Sequence, residues 1–147
     1  MKTAIVYYSK HHGNTKKLID AIAKVGDVTP IDVTKQSEYD LDGFDLIGFA
    51  SGIYYQKYSE KVLEFAENNL PNSKKVFFLY TYGIKRDSYI SEIQEAAENK
   101  NAKVVGAYGC RGFDTFGPFR FVGGIAKGRP NQDDIAGAVQ FFKEMTK

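Results

Sequence analysis

Apolar residues along this chain of 147 residues fall into two kinds of run that take turns from one end to the other. Ala4 to Tyr8 is short, unbroken and rich in β-branched and aromatic side chains, which predicts a central strand of a parallel sheet. Asp45 to Ala50, Lys75 to Tyr82 and Lys103 to Cys110 read as further strands, and the weaker run from Val28 to Val33, interrupted by Pro30, predicts an outer one. Between them the spacing becomes helical: Leu18, Ile19, Ile22 and Val25; then Val62, Leu63, Phe65, Ala66 and Leu70; then Ile90, Ile93, Ala96 and Ala97. A last helix is predicted near Asp133 to Met145. Asn14 with Thr15, Ser59, and Asp87 or Ser88 are the expected caps of the first three helices, and Asn131 with Asp134 has capping-box spacing.

The resulting order is strand, helix, strand, strand, helix, strand, helix, strand, helix. Such alternation implies an α/β fold with a parallel sheet and helices on both faces. Right-handed crossovers and the weak second strand favour the strand order 2-1-3-4-5. In that order a ligand binds beyond the carboxyl ends of the strands, where the winding reverses between the first and third. Four loops meet there: Ser9 to Asn14, Ser51 to Tyr58, Thr81 to Arg86, and the segment after Cys110. The first of them combines Gly13 with the start of a helix, whose exposed amides suit an anion such as a phosphate monoester.

Tyr8-Ser9-Lys10-His11-His12-Gly13-Asn14-Thr15 resembles the FMN-phosphate loop of the flavodoxins, and Asp42-Gly43-Phe44-Asp45-Leu46-Ile47-Gly48 resembles their approach to the third strand. Lys10 and His12 stand where that family commonly has Ser or Thr, and both can still donate to an anion. The resemblance spans essentially the whole chain and implies one flavodoxin-like domain, a three-layer sandwich holding FMN. It implies that Ser9, Lys10, His11, His12, Gly13, Asn14 and Thr15 hold the phosphate. It places Ser51, Gly52, Ile53, Tyr54, Tyr55, Thr81 and Tyr82 around the flavin ring, with the three tyrosines flanking it. Gly83, Cys110, Arg111, Gly112 and Phe113 are then expected to supply backbone contacts. Flavodoxins commonly place an aromatic and then Gly in the loop after the third strand, where a peptide flips against flavin N5. Here Gly52 precedes Ile53 and Tyr54, which argues against that flip.

Composition narrows the setting. One cysteine cannot form an internal disulfide, and the start of the chain shows neither a secretion signal nor a membrane span, so a reducing cytoplasmic location is expected. The formal charge of +2 gives no indication of nucleic-acid binding. It also differs from the acidic balance of most flavodoxins, which argues against docking onto positively charged partners. Residues Arg111 to Pro130 form a long segment with four phenylalanines and a positive balance, suited to covering the flavin or to seating an anionic substrate or acidic partner. Cys110 reads as a small buried hydrophobe rather than a redox thiol, with Arg111 the one adjacent group able to lower its pKa. His11 and His12 do not form a metal-ligand set with any Cys or acidic cluster. The leading functional expectation is an electron carrier that exchanges electrons with redox proteins or a small-molecule donor or acceptor. The alternatives are an FMN-dependent oxidoreductase acting on a quinone-like or tetrapyrrole substrate, and a flavin-free interaction module that kept the fold.

Overall fold

The computed structural model describes residues 1–9, 13–54, 56–113 and 123–147. Five strands, β1 (Thr3–Tyr8), β2 (Val28–Asp32), β3 (Leu46–Gly52), β4 (Lys75–Tyr82) and β5 (Lys103–Arg111), pair in parallel in the order β2-β1-β3-β4-β5. Four helices, α1 (Asn14–Ala23), α2 (Glu60–Asn69), α3 (Ser91–Glu98) and α4 (Gln132–Met145), complete the chain. This is the doubly wound α/β architecture expected from the alternation of runs. Pro30 lies on the edge strand, where a missing backbone donor interrupts no ladder on the open side.

Successive side chains of a strand point to opposite faces, and β1 shows the consequence. Ala4 and Val6 pack with Phe49, Val62, Ala66 and Ile93 under α2 and α3, while Ile5 and Tyr7 pack with Leu18, Ile22, Phe77 and Phe142 under α1 and α4. β1, β3 and β4 are thus buried on both sides. Their unbroken apolar runs follow from that position. Gly48 on β3 is paired in register with Phe77 on β4, whose ring would lie 2.3 Å from a Cβ at Gly48. The glycine makes room for the larger neighbour.

Three expected helix starts or ends fall elsewhere. α1 stops at Ala23, because the Lys24 and Val25 amides donate back to the Ala21 and Ile22 carbonyls and tighten the last turn; Val25 lies beyond it, 44% exposed. Neither Asp87 nor Ser88 caps α3. Both sit inside a 3₁₀ turn (Asp87–Ile90) that leads into the helix, and that turn supplies the preceding carbonyls a cap would otherwise replace. Asn14 and Thr15 do not cap α1 either: Gly13 occupies the cap position at φ +64, and both residues are buried within the first turn. Ser59 and the Asn131–Asp134 capping box form as expected. Among the described residues no helix is long and apolar enough to cross a membrane.

Candidate cofactor site

Parallel strands with crossover helices leave every strand's carboxyl end, and every helix's amino end, on one edge of the sheet. At that edge, where β1 and β3 part, a cleft is lined by Ser9, Asn14, Thr15, Gly52, Ile53, Tyr54, Thr81, Tyr82, Gly112 and Phe113. The cleft therefore draws on the four loops that the strand order brings together.

The first wall is the start of α1. Lys17 is the first residue whose amide reaches a helical carbonyl, that of Gly13, so the amides before it have no partner within the helix. Ser9 Oγ accepts one of them, from Lys16, at 3.1 Å. Gly13 at φ +64 has nothing among the described residues within 4 Å of where a Cβ would stand, so on that side its backbone is open to an approaching group. Asn14 and Thr15 instead reach across the molecule. Asn14 Nδ2 donates to the Phe113 carbonyl at 2.8 Å, and the Thr15 and Thr81 hydroxyls share a hydrogen bond of 3.1 Å. Because Nδ2 is fixed by Phe113, Asn14 Oδ1 is left buried with no partner among the described residues. A buried acceptor of this kind is costly unless a ligand supplies the donor.

The second wall is aromatic. Ile53 donates to the Thr81 carbonyl at 2.9 Å, and the chain then turns tightly, Tyr54 and Lys57 exchanging backbone hydrogen bonds of 2.9 and 3.0 Å. Gln56 completes that turn in the left-handed region, at φ +66. The Tyr54 ring folds back over Gly52, its hydroxyl 2.9 Å from where a Cβ would be, and meets Tyr8 edge-on at 5.7 Å. Tyr82 also lines the cleft and stands between Tyr80 and Tyr89, with centroid separations of 5.9 and 6.1 Å.

The floor is closed by β5. Gly112 donates to the Tyr82 carbonyl at 2.8 Å, and a Cβ there would stand 2.6 Å from Asn14 Nδ2, so only a glycine lets the two segments approach. Phe113 donates to the Arg129 carbonyl at 2.8 Å, which ties the far end of the 111–130 segment to the cleft.

Of the remaining expected site residues, Ser51 is fully buried, its hydroxyl accepting from the Ser59 amide and donating to the Gly52 carbonyl, so it braces the loop from behind. Gly83 accepts from Arg111 Nε at 3.2 Å, and Arg111 is otherwise exposed. Cys110 is 5% exposed, and its thiol is pushed up to about 12, first by burial and then by the Asp134 carboxylate. The cation acting on it is Arg129, not the neighbouring Arg111, because successive strand residues point to opposite faces. Lys10, His11, His12 and Tyr55, with residues 114–122, lie outside the described residues. Sequence reasoning overlooked Tyr8 as a partner of Tyr54 and the long-range roles of Asn14 and Thr15; residue types that usually cap helices give no sign of contacts 99 and 66 residues away.

Residues 5–112 match the model of a flavodoxin domain. The chain belongs to the flavodoxin family. Among curated proteins, this flavodoxin-family chain is 34% identical to an uncharacterised protein of Methanocaldococcus jannaschii, over all of its own length and 99% of the relative's. Oxidised flavodoxin 2 from Bacillus cereus superposes with a TM-score of 0.66 at 17% identity, covering 99% of each chain. A flavoprotein from Lactobacillus acidophilus, solved in complex with FMN, gives 0.56 at 21% identity over 75% of this chain and 92% of its own.

Proposed function

We propose that this flavodoxin-family chain holds FMN non-covalently in the strand-end cleft and passes electrons between redox partners. The observation that carries the reading is the cleft itself, which is lined by open helical amides and by two tyrosines. FMN has the matching shape, a phosphate at one end and a flat, mostly apolar ring at the other. The buried, unpartnered Asn14 Oδ1 supports the fit, because it is suited to a ligand hydroxyl between those ends. In this reading Gly13 and the amides after it hold the phosphate, with Lys10 and His12 beside them in sequence. Tyr54 and Tyr82 flank the ring and exclude water, and the backbone of Gly52, Thr81 and Gly112 meets its polar edge. FMN, when bound, supplies the one- and two-electron chemistry. Among the described residues, no carboxylate, amine, imidazole or thiol lines the cleft, so the lining itself brings no strong acid or base for turnover of a small substrate. The match to the flavodoxin domain supports the carrier over the oxidoreductase.

Fluorescence titration of FMN tests the reading through Gly13, where there is room for a side chain and where Asp and Asn tolerate the left-handed backbone alike. Gly13→Asp is expected to weaken FMN about tenfold or more, a cost of about 1.4 kcal/mol, by setting a carboxylate against the phosphate. Gly13→Asn, with the same shape and no charge, is expected to retain most of the affinity. Equal affinities in the two variants would contradict the placement of the phosphate.

A further inference from the structure

The cap of α4 is complete without Arg129. Asn131 Oδ1 accepts the Asp134 amide at 3.0 Å, and the Asp134 carboxylate accepts the Asn131 amide at 2.8 Å, which is all that a capping box requires. Arg129 nevertheless lays its guanidinium on that carboxylate through two hydrogen bonds, of 2.5 and 2.7 Å, the Asp134 side chain being 10% and the Arg129 side chain 32% exposed. A bidentate pair with its acid largely shielded from water fixes a geometry as well as a charge. Arg129 is held at its backbone too: its amide donates to the Ala126 carbonyl at 3.1 Å, and its carbonyl accepts from Phe113 at 2.8 Å. Side chain, amide and carbonyl are thus all engaged, and the carbonyl passes the constraint on to the cleft wall.

Phe113 stands between Arg129 and Asn14, donating to the first and accepting Asn14 Nδ2 at 2.8 Å with its own carbonyl. That second bond decides which end of the Asn14 side chain meets a ligand. The oxygen and the NH₂ group of a carboxamide have nearly the same shape, so packing alone does not choose between them; a partner that can only accept does. The Phe113 carbonyl is such a partner. It leaves Oδ1, buried and without a partner among the described residues, as the atom that Asn14 has to offer in the cleft. Neither Arg129 nor Asp134 lines the cleft. We propose that Arg129, locked by Asp134, is a positioning residue for the cofactor: through Phe113 it holds Asn14 with its oxygen presented to a hydroxyl of the ribityl chain. An acceptor fixed beforehand spares the ligand the cost of ordering it. The proposal rests on the FMN reading and extends that site to two residues outside the cleft.

The test titrates the full chain, by flavin fluorescence, with FMN, with riboflavin, which lacks the phosphate, and with lumiflavin, which lacks the hydroxyls as well. Arg129→Met removes the guanidinium and leaves the capping box in place. Tyr108→Phe is the comparison, because it takes a hydrogen bond from the Asp134 carbonyl and loosens the seat of α4 without touching the ion pair. Arg129→Met is expected to weaken FMN and riboflavin about tenfold, the size of one lost hydrogen bond to the ligand, and to leave lumiflavin unchanged. Tyr108→Phe is expected to lower the melting temperature and to leave all three affinities as they are. An equal loss for the three flavins in Arg129→Met, no loss at all, or the same losses in Tyr108→Phe would overturn the proposal. Nitrogen relaxation of the Asn14 side-chain amide, measured by NMR without ligand, gives a readout independent of flavin: rigid in wild type and in Tyr108→Phe, mobile in Arg129→Met. Where the wild type binds no flavin the FMN reading fails, and the positioning role is judged by that readout; an Asn14 amide equally rigid in both variants overturns it.

Discussion

Tyr58 buries its phenol completely and has one proton to donate, which it shares between the Phe49 carbonyl at 3.0 Å and the Leu79 carbonyl at 2.8 Å. It therefore pins β3 to β4 just behind the loops that form the aromatic wall. Burial, and to a lesser degree Tyr80, raises its pKa well above the ordinary tyrosine value, so the donor persists at any physiological pH. Tyr58→Phe is expected to cost about 1 kcal/mol in urea unfolding, the usual value of a buried hydrogen bond lost without a new cavity. Gly112 acts by its lack of a side chain. Gly112→Ala places a Cβ against Asn14 Nδ2, breaks the bond to Phe113, and is expected to cost about 1–3 kcal/mol of stability while also weakening FMN binding. If FMN affinity is unchanged in this variant, Asn14 is not part of the cofactor wall. Neither role was legible in the sequence: one tyrosine among ten, and one glycine among fourteen, carry no mark of what packs against them.

At the scale of elements, α4 shows how a cap can also organise a site. Asp134 accepts the Asn131 amide at 2.8 Å and the Arg129 guanidinium at 2.5 and 2.7 Å, while the Tyr108 hydroxyl donates to its carbonyl at 2.8 Å. The same Arg129 offers its own carbonyl to Phe113, so the capping box anchors the return of the 111–130 segment beside the cleft. The hydrogen bond from Arg129 is the main cause that lowers the Asp134 pKa, with burial opposing it and the Asn131 amide adding to it. A carboxyl lowered in the fold stabilises fully above its unfolded value and loses that contribution as pH falls through its folded one. The melting temperature of Asp134→Asn is therefore expected to lie a few degrees below wild type at neutral pH, and the gap to close as pH drops below 3.8. A gap that persists in acid would show that shape, not charge, supports the cap. The capping box was legible because both of its partners lie within four residues. The ion pair with Arg129 and the 3₁₀ entry to α3 were not, since each depends on where tertiary packing brings the chain.

For the molecule as a whole, the order of apolar runs was enough to indicate the sheet, because burial on both faces imposes an unbroken pattern and Pro30 marks an edge. The position of the cleft followed from topology, and the loops expected there do meet there. What the sequence concealed was which side chains meet across the cleft, since Asn14 and Phe113 stand 99 residues apart. A chain with a formal charge of +2 opposes the more negative, reduced cofactor less than an acidic surface would. The midpoint potential of bound FMN is accordingly expected to lie above that of flavodoxins with acidic surfaces and to change little with salt. Potentiometry giving a lower potential, or one that shifts strongly with salt, would contradict this. Both expectations presuppose the cofactor, so the decisive measurement is the visible absorbance of the purified chain after FMN is added and the unbound fraction removed. Flavin bands retained in equimolar amount are the predicted result; a colourless protein at micromolar FMN would contradict the account.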